Sequence, residues 1–286
     1  MSLNLTTVKK RIKTISSTKK ITNSMKLVSS IKSRKLANEF KTNSEFYNEL
    51  VELFNNAIYL DKYSNTANLQ SIYLQEVKSD KNLYVVIMSN LGLCGSYNSE
   101  IYKYLKPKLN KDDELILIGK KCQSYFKHDY ETNVDFIEIN SKRDIEDINL
   151  LTQILIEKFE TLEYKTIKIV HSTYVNSLVF KPNEITLLPL DLKVKKSSGY
   201  EPIYEASKEQ FVKDFVPQYL KNLIHHSLIE ATLCEETNRR NSMDNANQNI
   251  DEIMQTLKIE YNKARQASIT QEITEIVSGA NAIKND

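Results

Sequence analysis

The chain is poor in the residues that form tight turns. Its 286 residues include only 5 glycines and 5 prolines, whereas average usage would give about 20 and about 14. Because these two residues dominate turns, their scarcity argues against a fold of many short strands, such as a sandwich or a barrel. A few very long elements are expected instead.

Cysteines and long apolar runs are scarce as well. Cys94, Cys122 and Cys234 are far apart and odd in number, which fits neither a disulfide framework nor a zinc site and favours a reducing compartment. The longest apolar run, Leu83 to Met88, is much shorter than the ~18 residues of a membrane-spanning helix. No apolar stretch follows the basic N-terminal residues, so we expect neither a secretory signal nor direct insertion into a membrane.

Charge is distributed unevenly along the chain. The formal net charge is +2, but residues 1–41 contain eleven Lys and Arg against Glu39 alone, which leaves +10 on this segment and −8 on the remainder. A basic segment of this kind predicts an acidic partner. Nucleic acid is disfavoured because no aromatic residue that could stack on bases precedes Phe40. Membrane-surface binding is disfavoured because Trp and Phe anchors are missing there. A protein partner and a merely solvated face remain open.

Two segments without glycine predict very long helices. Residues 4–59 also lack proline, and their apolar residues recur at helical spacing in three runs. The first begins at Val8, the second is a stripe of Ile21, Met25 and Val28, and the third begins at Leu36. We expect one helix of about 55 residues, ~80 Å long. A second helix of ~70 residues is expected from Ser207, which begins a capping box, to Ser278, with Pro217 as the point where it could kink.

The residues between these helices follow another pattern. Strands alternating with helices predict a mostly parallel sheet covered by helices, and the short connection at 175–177 makes the last two strands an antiparallel hairpin. The predicted strands cover residues 83–89, 114–119, 134–139, 166–173 and 178–187, and the predicted helices cover 96–109, 120–128 and 144–162.

These patterns give one fold class and four segments. The fold class is α/β plus long helices, in which the N- and C-terminal helices pair as an antiparallel coiled coil and a Rossmann-like α/β domain is inserted between them. The segments are an N-terminal coiled-coil helix (1–60), the globular domain (61–190), a linker rich in Pro, Gly and Ser (191–206) and a C-terminal coiled-coil helix (207–286).

The C-terminal helix has a polar middle section. Between Cys234 and Ile250 the only apolar residues are Met243 and Ala246, so we expect this stretch to be largely solvated. The adjacent Glu235–Glu236 lie within it and are not expected to act as an acid/base pair.

No catalytic constellation is visible in the sequence. The Gly119–Lys120 pair lacks the first glycine of a phosphate loop, because Glu114 occupies that position. Gly92 and Gly95 resemble a dinucleotide turn, but Asn98 stands where the third glycine would be, so we interpret them as a strand-to-helix turn. His225–His226 face about 100° apart on a helix and cannot share a metal. We expect no catalytic, cofactor-binding or metal-binding residues.

Two segments resemble a known family. Residues 262–283, NKARQASITQEITEIVSGANAI, resemble the C-terminal signature of the gamma subunits of F-type ATP synthases. Residues 19–35, KKITNSMKLVSSIKSRK, resemble the N-terminal signature of the same family. Shorter matches at 91–98, 188–190 and 200–202 follow in order, so the resemblance covers essentially the whole chain.

The resemblance implies a function that the residues alone do not. It implies a non-catalytic central rotor shaft, housed in a hexamer of alternating alpha and beta subunits whose beta subunits carry the catalytic sites. A globular foot, with an epsilon subunit, joins the shaft to the membrane c-ring for proton-coupled ATP synthesis or hydrolysis. The implied location is peripheral, on the cytoplasmic face of the cell membrane. The resemblance implies no cofactor.

Two alternatives stay open. The first is a shaft in a diverged rotary ATPase motor that does not translocate protons. The second is a free coiled-coil adaptor or nucleic-acid-binding protein, which the C-terminal signature disfavours.

The resemblance also implies partner-contact residues. A catch loop on beta is expected to meet Arg265, Gln266 and Thr270, with Lys20, Met25 and Lys26 on the facing helix. An apolar bearing is expected at Ile269, Ile273 and Ile276. Asn90 and Leu91 replace the family's Asp-Arg pair, and we expect them to contact the epsilon and c-ring side.

Overall fold

The computed structural model describes residues 5–63, 72–75, 77–126, 134–137, 145–190 and 208–284. The predicted linker at 191–206 and the predicted cap at Ser207 lie outside these ranges. The elements in chain order are α1 (Leu5–Tyr63), β1 (Asn82–Ile87), α2 (Tyr97–Leu105), β2 (Glu114–Ile118), α3 (Lys120–Phe126), β3 (Val134–Ile137), α4 (Ile145–Glu160), β4 (Thr166–Tyr174), β5 (Phe180–Leu188) and α5 (Lys208–Lys284).

The chain divides into two compact units. One contains Met1–Ser29 and Arg240–Asp286, and the other contains Ser30–Arg239. The division crosses both long helices rather than falling at their ends. The four predicted segments remain predictions.

The two long helices are confirmed. α1 has 59 residues and α5 has 77, and α5 runs through Pro217 without a break. Proline lacks the N–H that would bond to the carbonyl of Lys213. Because Lys213 is exposed, water can take that place, which accounts for the tolerance of proline at this position.

The sheet also agrees with the expectation. Its order is β3-β2-β1-β4-β5, with parallel pairing from β3 to β4 and an antiparallel β4–β5 hairpin. Alternate residues of β1 point to opposite faces. Leu83, Val85 and Ile87 join the core formed with α4 and α5. Tyr84 and Val86 join the core formed with α2 and α3.

One glycine at the end of β2 is required by geometry. Gly119 has φ of +100°, and a Cβ built on it would lie 2.2 Å from the carbonyl oxygen of Met88. Any side chain at this position would push the ends of β1 and β2 apart. Glycine lets the two strand ends approach each other closely.

Within the unit of Met1–Ser29 and Arg240–Asp286, α1 and α5 are antiparallel. Lys19 pairs with Asp251, and Lys26 Nζ lies 2.5 Å from Asp244 Oδ1. Between them, Thr22 Oγ1 donates to Asn247 Oδ1 at 2.5 Å. Seven residues along α1 thus correspond to seven in the reverse direction along α5.

The unit of Ser30–Arg239 shows antiparallel pairing as well. Lys32 Nζ lies 3.3 Å from Glu236 Oε1, and the rings of Tyr47 and Tyr219 lie 6.5 Å apart. The predicted antiparallel coiled coil is therefore present in each unit.

The pairing surface of α1 differs from the apolar pattern that we expected. One set of its buried and half-buried positions alternates in steps of four and three, which is the heptad spacing of coiled coils; the set is Val8, Ile12, Ile15, Lys19, Thr22, Lys26, Ser29, Ser33, Leu36, Phe40, Asn43 and Tyr47. Other half-buried positions, such as Ser16, Met25 and Ser30, flank this set. Ile21 and Val28, which we expected in the apolar stripe, are instead 61% and 52% exposed. The heptad spacing continues through Thr22 and Ser29, so position decides burial here and hydrophobicity does not.

The expectation of a solvated middle section in α5 is wrong. Glu236, Thr237 and Arg239 are buried, as are Met243 and Asn247. Glu236 pairs with Lys32 of α1, and Asn247 Oδ1 accepts a hydrogen bond from Thr22 of α1. Thr237 Oγ1 donates to the Leu233 carbonyl within α5. Such partners let a polar sequence be buried.

Candidate functional site at the junction of helix and sheet

The carboxyl edge of the sheet contains the crevice where open α/β folds bind ligands. The chain leaves β1 towards β2 on one side, and β4 lies on the other. The strand order therefore reverses between β1 and β4, and ligands bind outside the strand ends at such a point. In this chain α5 occupies that position.

Four groups on α5 bind the strand ends and their turns. Glu230 accepts hydrogen bonds from Tyr174 N and interacts with His171 Nε2, both at 2.9 Å. The carbonyl of Ala231 accepts a hydrogen bond from Tyr97 Oη at 3.2 Å. The other two groups are Cys234, whose Sγ donates to the Ser172 carbonyl at 3.2 Å, and Arg239, whose guanidinium donates to the carbonyls of Leu91 and Gly92 at 3.2 Å each.

The turn after β1 is shaped to present those two carbonyls. Leu93 and Gly95 have φ of about +60° (62° and 61°), the left-handed region. Asn98 fixes the turn to the strand end, since its Oδ1 accepts from Ser89 N at 3.0 Å and its Nδ2 donates to Ser89 Oγ at 2.7 Å. The residue in place of a third glycine thus has a structural task, which supports the interpretation of a strand-to-helix turn.

Arg239 is the centre of a buried charge cluster. Its side chain is 3% exposed and pairs with Glu235 and, at 3.0 Å, with Glu236. Burial raises the pKa of Glu235, although the guanidinium opposes that shift. Removing one member of such a cluster costs ~3–5 kcal/mol, because a buried charge is left without its partner. The cluster contradicts the expectation that Glu235–Glu236 are solvated.

The histidines of α5 lie on the side of the junction that meets α1. His226 is stacked between the rings of Phe40 and Tyr47, at 5.1 and 4.9 Å. Its Nδ1 lies 2.8 Å from Asn43 Oδ1, so this nitrogen carries the proton. Burial lowers the pKa of His226, and the nearby Glu230 carboxylate opposes that shift.

The described residues show no sign of metal ligation or of membrane crossing. Among the residues that the structure describes, no group of three or more His, Cys, Asp or Glu side chains could hold a metal ion. In the same ranges, no helix combines the length and the apolar character needed to cross a membrane.

The structure separates two sets of residues that we expected to face each other. The ion pairs of Lys19 and Lys26 place Met25 beside Asp244 and Asn245. Arg265 lies twenty residues further along α5, or about 30 Å. The expectation that Met25, Lys20 and Lys26 face the catch residues is therefore wrong. The register is set by polar pairs, which the apolar pattern of the sequence does not reveal.

The expected catch and bearing residues lie on a single helix. By the same register Leu5 is level with Arg265, so the described part of α1 provides no partner for α5 beyond that point. Arg265, Gln266 and Thr270 are exposed. Ile269, Ile273 and Ile276 are exposed by 43%, 56% and 71%.

The two expected foot residues have different surroundings. Asn90 Oδ1 accepts a hydrogen bond from Lys120 N at 3.1 Å, which ties the first turn to the start of α3. The carbonyl of Leu91 binds Arg239, whereas its side chain is 62% exposed. Leu93 is equally exposed. The turn after β1 thus has two exposed apolar side chains, those of Leu91 and Leu93.

Arg239 was not among the site residues expected from the sequence. Its partner carbonyls are about 147 residues away, and only the neighbouring Glu235 and Glu236, at i−4 and i−3, gave a local signal.

Comparisons with known proteins give a consistent result. A family model described as ATP synthase matches residues 4–283. An ATP synthase gamma chain of Malacoplasma penetrans is 37% identical, over 97% of this chain and 98% of its own. One from Clostridium kluyveri is 32% identical, over 98% of each chain. A solved chain from the mitochondrial ATP synthase of Euglena gracilis, in an OSCP/F1/c-ring structure, shares the fold with a TM-score of 0.72 and 21% identity, covering 98% of this chain and 94% of that one.

Proposed function

This chain belongs to the ATP synthase family, among its gamma chains, and we propose that it serves as the central rotor shaft of an F-type ATP synthase. In that role it transmits rotation between a membrane c-ring and a catalytic alpha/beta hexamer. It performs no catalysis, and ATP is made or hydrolysed on the beta subunits. It lies at the cytoplasmic face of the cell membrane, attached through its partners.

The observation that carries this proposal is the continuity of α5. A single unbroken helix contains the residues that bind the sheet, Glu230 to Arg239, and the exposed residues 269–280. A turn applied to the sheet therefore reaches the exposed residues through one continuous hydrogen-bonded element. Such an element suits transmission of torque better than a chain of hinged segments.

The proposed partner contacts follow from exposure. Arg265, Gln266 and Thr270 would bind a loop of beta, and Ile269, Ile273 and Ile276 would slide in an apolar bearing. In the contact with beta, Lys20 offers an exposed cation, Lys26 is engaged with Asp244, and Met25 is half-buried. Asn90 and Leu91 would face the epsilon and c-ring side.

Rotation of the assembled complex tests the proposal. The chain is combined with alpha and beta subunits, the hexamer is fixed to a surface, and a probe is attached through a cysteine at the exposed Ser124. ATP should drive rotation of the probe in one direction. Hydrolysis at full rate with a stationary probe would refute a shaft role, provided that the probe moves freely in a complex with a known gamma chain.

A paired substitution tests the catch. Arg265→Ala with Gln266→Ala should lower ATP turnover in complexes that still assemble, since it removes polar contacts and leaves the apolar bearing. The matched control is Lys258→Ala, an exposed residue of the same helix that is not an expected contact. Equal turnover in both variants would contradict the assigned role.

The apolar side chain of Leu91 favours a second possibility at the foot, namely a motor of the same architecture that lacks a c-ring. Co-purification from the native membrane distinguishes the two. Epsilon and c subunits should be recovered with the chain if the main proposal holds. Recovery of alpha and beta with a different foot partner would favour the alternative.

A further inference from the structure

The polar contacts between α5 and the strand ends occupy one short stretch of the helix. The first group is Glu230 and the last is Arg239, which are nine residues or about 13 Å apart along the axis. The groups between them, at Ala231 and Cys234, lie close to the first. Arg239 therefore defines the far end of the anchored length.

Arg239 differs from the other anchors in its chemistry. Its guanidinium donates to two adjacent carbonyls, those of Leu91 and Gly92, and also pairs with two carboxylates of α5. A planar fork that binds at several points fixes direction as well as distance. Apolar contacts do not fix direction in this way, because the hydrophobic effect is non-directional.

From this arrangement we infer that Arg239 is a positioning residue that sets the angular stiffness of the joint between α5 and the sheet. It occupies the crevice that related folds use for ligands, and it is the last polar contact of α5 with the turn after β1. The inference deepens the proposed shaft function. Only the mechanical purpose of the stiffness rests on that function, because the stiffness itself can be measured in the isolated chain.

The geometry gives the size of the effect. Without Arg239 the length fixed by polar anchors shrinks from about 13 Å to about 6 Å, the rise between Glu230 and Cys234. For the same freedom at each anchor, the angular play of the helix varies inversely with the anchored length. The apolar contacts of α5 with the core, from Val216 to Ala231, remain, so the angular play should increase by no more than about twofold.

The test measures a distance distribution between spin labels in the full chain. The labels are placed at Ser124 in α3 and Gln255 in α5, both exposed. The native thiols of Cys94, Cys122 and Cys234 are buried and leave these two sites to the label. Arg239→Lys keeps the charge but cannot span two carbonyls, so the distribution should broaden measurably, by no more than about twofold. The matched control is Arg240→Lys, whose guanidinium contacts Asn241; its width should stay at the wild-type value.

A neutral variant separates stiffness from stability. Arg239→Met combined with Glu235→Gln and Glu236→Gln removes the buried charges together, which restores much of the melting temperature that Arg239→Lys loses. It does not restore the bonds to the turn. We expect its distribution to stay broad while its melting temperature recovers. A wild-type width in either Arg239 variant, or a width that follows melting temperature alone, would overturn the inference.

The proposed function fails separately. If the wild-type chain shows a narrow distribution, broadened in the Arg239 variants, but does not rotate in the assembled complex, the role of Arg239 stands and the shaft function is refuted. If the chain rotates but all variants show equal widths, the shaft function stands and the role of Arg239 is refuted.

Discussion

An engineered disulfide between the two long helices tests the antiparallel register most directly. Thr22 Oγ1 and Asn247 Oδ1 lie 2.5 Å apart, so Thr22→Cys with Asn247→Cys brings two thiols face to face within one chain. The crosslink should form under mild oxidation of the full chain. On a non-reducing gel the oxidised chain should run as a monomer, because the bond forms within one chain.

The stabilisation follows from the loop that the bond closes. The two positions are 225 residues apart, and closing a loop of that length removes roughly 5 kcal/mol of unfolded-state entropy. The reduced and the oxidised variant both lack the part-buried Thr22–Asn247 hydrogen bond, so the oxidised variant should be more stable than its reduced form by roughly 5 kcal/mol in denaturant unfolding, read from both midpoint and slope. Relative to the wild-type chain, loss of that hydrogen bond offsets about 1 kcal/mol, which leaves a gain of roughly 4 kcal/mol.

A second pair provides the control and the refutation. Met25→Cys with Arg265→Cys places the thiols about 30 Å apart along the helices, whereas a disulfide requires Cα atoms within about 7 Å. Efficient intrachain crosslinking of this second pair, with none between positions 22 and 247, would show that the register described here is wrong.

Three further predictions concern acid, glycine and the C-terminal residues. Burial lowers the pKa of His226, so its stabilising contribution is present above about pH 6.5 and is lost as the pH falls, by at most about 1.4 kcal/mol per pH unit; denaturant unfolding between pH 8 and 5 measures it. Gly119→Ala should destabilise the chain by about 3 kcal/mol in thermal melting, because the new Cβ meets the Met88 carbonyl. Deleting residues 276–286 should leave the melting temperature of the isolated chain unchanged and weaken assembly with alpha and beta subunits, since the described side chains of 276–280 are exposed.

Each of these has a matched control. His226→Phe keeps the stacked ring and removes the proton, so its stability should fall less steeply with acid, and an identical slope would contradict the assignment. Gly279→Ala places a methyl group where nothing lies within 4 Å, so it should cost nothing. For the deletion, a lowered melting temperature would contradict the exposed position of Ile276.

The elements of the fold were predictable because each has a local cause. Scarcity of glycine gave the two long helices, and β-branched runs such as Leu83 to Ile87 gave the parallel strands with ends correct to within a few residues. The hairpin β4–β5 followed from its short connection. These features depend on neighbours in sequence, which a single sequence displays.

The pairing surface and the junction were not predictable for a physical reason. We placed Ile21 and Val28 in an apolar stripe from their helical spacing, yet both are exposed and Thr22 and Ser29 occupy the heptad positions. The contact of Arg239 with Gly92 depends on the folding of the intervening sheet. Partner contacts such as those of Arg265 and Leu91 depend on other chains and stay predictions.

The heptad spacing along α1 has a consequence for the mechanics of a rotating shaft. Positions that repeat every 3.5 residues, from Val8 through Leu36 to Tyr47, make paired helices wind around each other with a left-handed twist. A wound pair is chiral, so its elastic response differs with the sense of the applied torque. Turning one way tightens the winding, and turning the other way opens it. A complex that synthesises ATP and one that hydrolyses it would therefore load this pair unequally.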